Sequence, residues 1–187
     1  ESKDLITFDT PKYGPVKPLV GQTEGTSATA KIQTVIVFRN IEEHGLGVPL
    51  PAGKFEVSRR ERTGFGTHKV ASSSIEHQYV GNIVTVALEP LEHVTATRKQ
   101  TGFNLDREKL FCVESIEINV ANSRAETVEL VIEEELFRWQ TFEITDSSPA
   151  HEKHPHHPRK IFWKVKLNQG EYITINYTVF YSQFVLD

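Results

Sequence analysis

Hydrophobic and polar residues alternate along most of the second half of the chain. Residues 116–120 read Ile-Glu-Ile-Asn-Val, and the same period of two recurs at residues 128–132 and 161–167. Successive side chains of a β-strand point to opposite faces, so this period predicts half-buried antiparallel strands. Short strands at such spacing are typical of an all-β fold, and we predict an antiparallel two-sheet β-sandwich-like domain.

Predicted strands cover most of the chain after residue 30. Gly and Pro residues separate them, because these residues break regular structure, and residues 40–52 form a long predicted loop for this reason. We predict no amphipathic helix. The predicted strands are residues 31–39, 53–60, 69–79, 82–88, 93–100, 110–121, 126–137, 140–145, 160–167 and 172–184.

Residues 1–30 lack the alternation. Pro11, Pro15 and Pro18 lie close together, and residues 21–30 are small and polar. This composition predicts an extended N-terminal arm at residues 1–30, followed by the β-sandwich-like domain at residues 31–187. An ordered arm of this kind must lie against its own domain or against a neighbouring subunit.

The charge and hydropathy of the chain limit its partners. The chain has 187 residues, a net charge of −4 and a pI of about 6.1. A nucleic-acid binder needs a basic field, so we expect no nucleic-acid partner. No apolar window approaches the ~18 residues of a membrane span, so we expect no membrane insertion. The sequence begins at Glu1 and contains no methionine. We therefore expect a processed protein or a fragment, either cytoplasmic or, after removal of a targeting segment, secreted or at the cell surface.

Cys112 is the only cysteine, so no intrachain disulfide can form. It lies between Phe111 and Val113 in a predicted strand, which indicates a small buried hydrophobic residue rather than a nucleophile. The sequence contains no Gly-rich phosphate loop, no nucleophile elbow and no Cys-x-x-Cys pair. We therefore expect no cofactor and no catalytic residue.

Histidines cluster in the predicted loop before residue 160. His151, His154, His156 and His157 lie within seven residues, and prolines interrupt them. Neutral imidazole is a good ligand for zinc or copper, but the prolines exclude the helix that a His-Glu-x-x-His site needs. The favoured interpretation is a solvated, proline-stiffened loop. The alternatives are a metal site made of these four histidines and a pH-sensitive contact.

Two further groups of residues are candidate binding sites. Arg59, Arg60 and Arg62 form a basic hairpin, which is either an ordinary cluster at a strand end or a contact for phosphate or acidic glycans. Phe162 points away from the predicted core, and together with Trp139 it would mark a contact patch.

Glu133, Glu134 and Glu135 follow one another in a predicted strand. Paired carboxylates hydrolyse glycosidic bonds only where both face one cleft. Adjacent strand residues point to opposite faces, so we interpret this run as an exposed strand edge that blocks aggregation.

Asn176 begins the acceptor sequence Asn-Tyr-Thr. Its position in the predicted strand turns it away from the core, so N-glycosylation is geometrically allowed if the chain is secreted. Strand centres are poor acceptors, and the sequence also arises by chance.

Several short sequence segments occur in an order that is found in a known protein family. Residues 48–57 read Val-Pro-Leu-Pro-Ala-Gly-Lys-Phe-Glu-Val, residues 98–103 read Arg-Lys-Gln-Thr-Gly-Phe, and residues 114–118 read Glu-Ser-Ile-Glu-Ile. This order resembles the C-terminal β-rich domain of the mucoidy-inhibitor-A-like proteins, a family of unknown molecular function, over residues 32–184. The resemblance implies a two-sheet β-domain and no catalytic residues. The chain departs from the family at residues 89–91, where a Gly-containing turn is usual.

We expect a non-enzymatic binding or structural module that packs with neighbouring subunits through its arm, loops or sheet edges. Its partners would be proteins, in a homo-oligomer or a larger assembly. The first alternative is a hydrolase acting on glycans, which would use Glu133–Glu135 or a histidine-bound metal. The second is a surface ligand-binding domain that uses the basic hairpin.

Overall fold

The computed structural model describes residues 2–14, 18–23, 25–60 and 66–183, apart from the side chains of residues 59, 60 and 70. The predicted all-β, β-sandwich-like fold is confirmed, with strands over 61% of the described residues. Within these ranges the only helical segment is a 3₁₀ turn at Glu42–His44, and no helix is long and apolar enough to cross a membrane. The strands are β1 (Ser2–Phe8), β2 (Ser27–Ala28), β3 (Ala30–Arg39), β4 (Gly53–Arg60), β5 (Thr67–Ile75), β6 (Ile83–Pro90), β7 (Val94–Asp106), β8 (Phe111–Asn122), β9 (Val128–Glu135), β10 (Phe142–Ser148), β11 (Glu152–Lys153), β12 (Lys160–Leu167) and β13 (Tyr172–Ser182).

Strand β8 shows why the alternating pattern produces this fold. Every second residue from Cys112 to Asn122 is buried, while the residues between them are partly exposed. Ile116, Ile118 and Val120 occupy inward positions and are at most 1% exposed. Full burial of such a side chain stabilises the fold by about 1.5–3 kcal/mol, so the register that points these residues inward is strongly preferred.

Contacts along the chain divide it into two compact units. Unit 1 comprises Glu1–Leu5 and Gln33–Leu91. In this unit β3 pairs with β6, and β4 pairs with β5 as a hairpin, both in antiparallel register. Its core contains Val35, Val84 and Val86, which are at most 2% exposed.

Unit 2 comprises Ile6–Ile32 and Glu92–Asp187. One of its sheets has the strand order β10-β13-β8-β7-β2, and β11-β12-β9 pair in that order in a second sheet. Side chains from the two sheets meet in the core, where the ring centroids of Trp163 and Tyr177 are 5.5 Å apart. The predicted boundary at residues 30 and 31 falls within β3, and β1 and β3 contribute residues to both units.

The ends of several strands differ from the predicted bounds. β9 stops at Glu135 rather than residue 137, although the Leu136 N–H still donates to the Arg159 carbonyl at 2.8 Å. The predicted loop at residues 40–52 contains the 3₁₀ turn, which ends at Gly45 in the left-handed conformation. The short strand β11 lies inside the predicted histidine loop and was not predicted.

Candidate functional site

Unit 1 exposes a group of large apolar side chains on its loops. Val48, Tyr79 and Val80 are 58%, 66% and 53% exposed, and Ile83 at the start of β6 is 40% exposed. We call these four residues the loop patch. Among the described residues, the other large hydrophobic side chain with comparable exposure is Tyr172 in unit 2. Single exposed apolar residues are ordinary, whereas a group of them is typical of a contact surface.

Asn40 brings the loops that carry this patch together. It follows β3 directly and is fully buried. Its side-chain Nδ2 donates to the carbonyl of Val48 at 2.8 Å and to the carbonyl of Tyr79 at 3.2 Å. Its Oδ1 accepts from the Gly47 N–H at 3.0 Å. One buried amide therefore fixes the backbone on both sides of the loop patch.

Backbone hydrogen bonds complete this arrangement. The Asn40 N–H donates to Asn82 at 2.9 Å, and its carbonyl accepts from Gly81 at 2.7 Å. Leu50 and Gln78 exchange two backbone hydrogen bonds of 2.9 Å, which tie the two loops together a second time. Loops held in this way lose little conformational entropy when a partner binds, so the loop patch is pre-organised.

Acidic residues flank the loop patch along the chain. Glu42, Glu43 and Glu76 are exposed. The 3₁₀ turn lies close to the patch, since a Cβ added at Gly47 would lie 2.8 Å from the backbone nitrogen of Glu42. Arg39, the last residue of β3, donates from Nε to the Gly81 carbonyl at 3.3 Å. The three glutamates outnumber this arginine, so these flanking residues carry net negative charge.

In unit 2, Glu134 is buried rather than exposed. It is 1% exposed, and Arg98 Nε donates to both of its carboxylate oxygens at 3.0 Å. The Tyr177 hydroxyl donates to the same carboxylate. Burial raises the pKa of Glu134, and the charge of Arg98 opposes that increase. The predicted exposed edge at Glu133–Glu135 is therefore wrong, because Glu134 faces the opposite sheet and is neutralised there by a cation.

A second buried ion pair joins Arg138 and Glu114. Arg138 is 0% exposed and donates from Nε and Nη2 to the two oxygens of Glu114, each at 2.9 Å. Burial acts to lower the pKa of Arg138, but the hydrogen bonds and charge of Glu114 raise it more, so the guanidinium stays charged. Two-point contact of this kind gives the pair a defined geometry.

Both buried arginines also hold the N-terminal segment. Arg138 Nη1 donates to the carbonyls of Leu19 and Gly21 at 2.8 and 3.0 Å. Arg98 Nη1 donates to the carbonyl of Gly25 at 2.6 Å. This stretch of the predicted arm therefore lies against its own unit, which is one of the two placements that its composition allowed.

Further contacts anchor the same segment. The Tyr13 ring lies 3.8 Å from the guanidinium of Arg159, and β2 pairs with β7. Gly25 has a φ of +69°, and a Cβ added there would lie 2.5 Å from the ring of Phe137. A residue with a side chain does not fit at this position, so the glycine is required by both backbone and packing.

A groove of about 690 Å³ lies beside the edge strand β10 in unit 2. Phe142, Ile144 and Ile161 contribute apolar surface, and Glu143, His151 and Lys153 contribute polar groups. Burial and the charge of Lys153 lower the pKa of His151, so this imidazole is neutral at neutral pH.

The histidines of the predicted metal site do not converge. The ring of His154 lies 4.6 Å from that of His157 and 6.2 Å from that of His156, centroid to centroid. Its Nε2 is 3.9 Å from Glu133, whereas His151 lines the groove. Within the described ranges, no group of three or more His, Cys, Asp or Glu side chains could hold a metal ion. The geometry gives no support to a metal site at these four histidines.

The predicted contact patch of Trp139 and Phe162 is wrong. Trp139 is 8% exposed, and its Nε1 donates to the Gln183 carbonyl at 3.3 Å. It belongs to the buried segment 136–139, which packs inward. Phe162 is half-buried, with the ring of His154 at 6.3 Å and the Lys164 ammonium at 5.3 Å.

The basic hairpin stays a prediction. Arg62 and the side chains of Arg59 and Arg60 lie outside the described residues. The backbones of Arg59 and Arg60 pair with His68 and Thr67 in the hairpin of β4 and β5.

The remaining predicted residues lie in strands of unit 2. Asn176 is exposed, and Thr178 of its acceptor sequence has its hydroxyl 3.0 Å from that of Ser115. N-glycosylation stays a prediction. Cys112 is 0% exposed, and burial raises the pKa of its thiol to about 11, so the prediction of a buried hydrophobic residue is confirmed.

Sequence patterns did not identify Asn40 or the loop patch. An asparagine at a strand end ordinarily indicates a turn, and nothing in its neighbours shows that its amide is buried. A weak signal was present, since Tyr79 and Val80 are large apolar residues placed directly before the turn residues Gly81 and Asn82. Apolar residues at a turn that leads into a strand are unusual enough to suggest a contact.

A comparison of the chain with protein-family models, curated proteins and solved structures found no match. The geometry of the sites themselves is therefore the basis for assigning a function.

Proposed function

We propose that the protein is a non-enzymatic binding or assembly module that binds a protein partner through the loop patch. The observation that carries this proposal is the exposure of Val48, Tyr79, Val80 and Ile83 on loops held by the fully buried Asn40. Covering apolar side chains releases water, and loops that are already rigid lose little entropy on contact. We further propose, from the sequence segments at residues 48–57, 98–103 and 114–118, that the chain is related to the mucoidy-inhibitor-A-like family.

The charge around the loop patch favours a partner with an apolar pocket and a basic rim. Glu42, Glu43 and Glu76 are exposed beside it, and complementary charge speeds association and rejects wrong partners. A second copy of this chain is one candidate partner. In that case the loop patch would contact a different surface of the copy, because two acidic rims would repel each other.

The glutamates on which the hydrolase alternative depends are engaged by cations. Glu133 and Glu134 are adjacent in β9, where Lys160 donates to the first and Arg98 donates to the second. Adjacent strand residues face opposite sides of the sheet, so these two carboxylates do not share a cleft. This arrangement supports a binding module over a glycosidase that uses this pair.

Site-specific photo-crosslinking in the full-length protein, in its own cells, tests the proposal. A photoreactive phenylalanine derivative replaces Tyr79 in one variant and Tyr172 in a control variant. Tyr172 is 77% exposed but lies in β13 of unit 2. The control variant therefore has a similarly exposed crosslinker that is not part of the loop patch. We expect a discrete protein adduct from position 79 and none of that mass from position 172.

The size of the effect follows from the exposed area. Burying a side chain such as Tyr79 fully is worth about 1.5–3 kcal/mol, or roughly a 10- to 100-fold change in affinity. In a further variant the photoreactive residue replaces Val48. Adding Tyr79→Ser and Val80→Ser to this variant should therefore abolish its protein adduct. Equal adducts from positions 79 and 172, or no adduct from either, would contradict a docking role for the loop patch.

A further inference from the structure

Strand β10 is a sheet edge that lines a groove. It is the last strand of its sheet and pairs on one side, with β13. Its first three residues, Phe142–Ile144, line the groove of about 690 Å³ together with residues 140 and 141, which precede the strand. The unpaired N–H and C=O groups of an edge strand are ready to pair with another extended chain.

A second sheet edge also lines the groove. β11 is the last strand of the other sheet of unit 2 and pairs with β12. Lys153 of β11 lines the groove, as does Ile161, which is 2% exposed and forms part of the apolar floor. Strand edges bind extended peptides, because pairing with their free backbone groups supplies directional hydrogen bonds.

The side chains of the groove define what such a peptide should carry. Phe142 and Ile144 share one face of β10 and are half-buried, so they offer apolar contacts at a spacing of two residues. Glu143 of β10 and Lys153 of β11 both line the groove and are exposed. Neither takes part in an ion pair within the described ranges. Charge complementarity therefore calls for a cation opposite Glu143 and an anion opposite Lys153.

A bulge limits the length of the pairing. The register of β10 against β13 shifts between Ile144 and Asp146. The extra residue, Thr145, directs its hydroxyl toward the Thr178 carbonyl at 3.4 Å. Bulges bend an edge and interrupt further pairing, so the peptide would pair with β10 only at residues 142–144, before the bulge.

We propose that this groove binds a short extended segment of a partner protein by strand addition to β10. The segment alternates apolar with polar residues and carries one basic and one acidic side chain, which face Glu143 and Lys153. This site is separate from the loop patch, because it lies wholly in unit 2.

Selection from a displayed library of random heptapeptides, against the purified full chain, tests the inference. We expect enriched peptides that alternate apolar and polar residues and place a basic and an acidic residue in a constant order. Glu143→Lys combined with Lys153→Glu exchanges the charges that β10 and β11 present to the groove, so the selected order should reverse. Glu108→Lys combined with Lys31→Glu makes the same exchange at exposed positions outside the groove and should leave the selection unchanged.

N-methylation of the enriched peptide tests whether strand pairing supplies the affinity. One set of alternate amides faces β10, and methylating that set should weaken binding at least ~10-fold, because the ladder bonds are lost. Methylating the other set should change binding less than ~3-fold. The absence of an enriched peptide family, equal binding by the charge-exchanged variant, or equal loss from both methylated peptides would each overturn the inference. Tyr79→Ser should leave peptide binding unchanged, so a failure here is distinguishable from a failure of the loop-patch proposal.

Discussion

Replacing Arg138 by methionine should destabilise the protein strongly. The guanidinium is 0% exposed, donates to both oxygens of Glu114, and donates to the carbonyls of Leu19 and Gly21. Methionine keeps most of the apolar volume, so the loss is mainly electrostatic. Leaving one partner of a buried ion pair without its counter-charge costs about 3–5 kcal/mol. We therefore expect the free energy of unfolding to fall by about 4 kcal/mol.

Two further variants separate charge from packing. Arg138→Met combined with Glu114→Leu removes both buried charges and should recover at least about 2 kcal/mol of the loss. Lys166→Met is the matched control, because Lys166 and Glu129 form an ion pair of 3.0 Å with side chains 66% and 76% exposed. Exposed pairs contribute about 0–1 kcal/mol, so this control should change stability little.

Urea unfolding followed by tryptophan fluorescence measures these differences. Both tryptophans, Trp139 and Trp163, lie buried in unit 2 together with the Arg138 pair. Amide hydrogen exchange at Leu19 gives a second measurement, since its N–H donates to the Arg138 carbonyl at 3.0 Å and should exchange faster in both Arg138 variants. The reasoning is refuted if Arg138→Met costs no more than Lys166→Met, or if the double variant is no more stable than Arg138→Met.

Three other predictions follow from buried groups. Asn40→Ala should lower the free energy of unfolding by about 2–3 kcal/mol, because the Gly47 N–H and two carbonyls lose their partner; an unchanged calorimetric melting temperature would contradict this. Gly25→Ala should destabilise more than Gly170→Ala, since both have positive φ but only the first would place a Cβ within 2.5 Å of Phe137; equal melting temperatures would show that the ring gives way. Cys112, whose pKa burial raises to about 11, should react with a thiol reagent at pH 8 only after denaturation, and rapid labelling of native protein would count against its burial.

Much of the fold could be predicted from the period of two along the strands. The predicted strand at residues 160–167 coincides with β12, and β8 differs from its prediction by one residue at each end. β12 alternates apolar residues along its length and β8 does so from Ile116 to Val120, so the burial of one face determines the register. β9 was predicted less well, since the predicted strand at residues 126–137 extends two residues beyond each end of Val128–Glu135.

The functional sites were predicted less accurately than the strands. Alternation indicates which face of the sheet a side chain points to, but it does not indicate which residues that side chain contacts. The three consecutive glutamates of β9 were interpreted as an exposed strand edge, but Glu134 faces inward. Its burial is possible because Arg98 supplies the opposite charge. These residues are 36 positions apart in sequence. Trp139 lies in a segment without alternation, so its burial could not be deduced from its neighbours.

The sequence by itself determined the all-β class, most of the strands and the burial of residues such as Cys112. These are local properties, since a strand side chain points to one face or the other according to its position. The tertiary structure decided which distant groups meet: Arg138 with Glu114 and with the carbonyls of residues 19 and 21, and Asn40 with the loops that expose Tyr79. A buried polar group needs a specific partner, and the identity of that partner depends on how the chain folds back on itself.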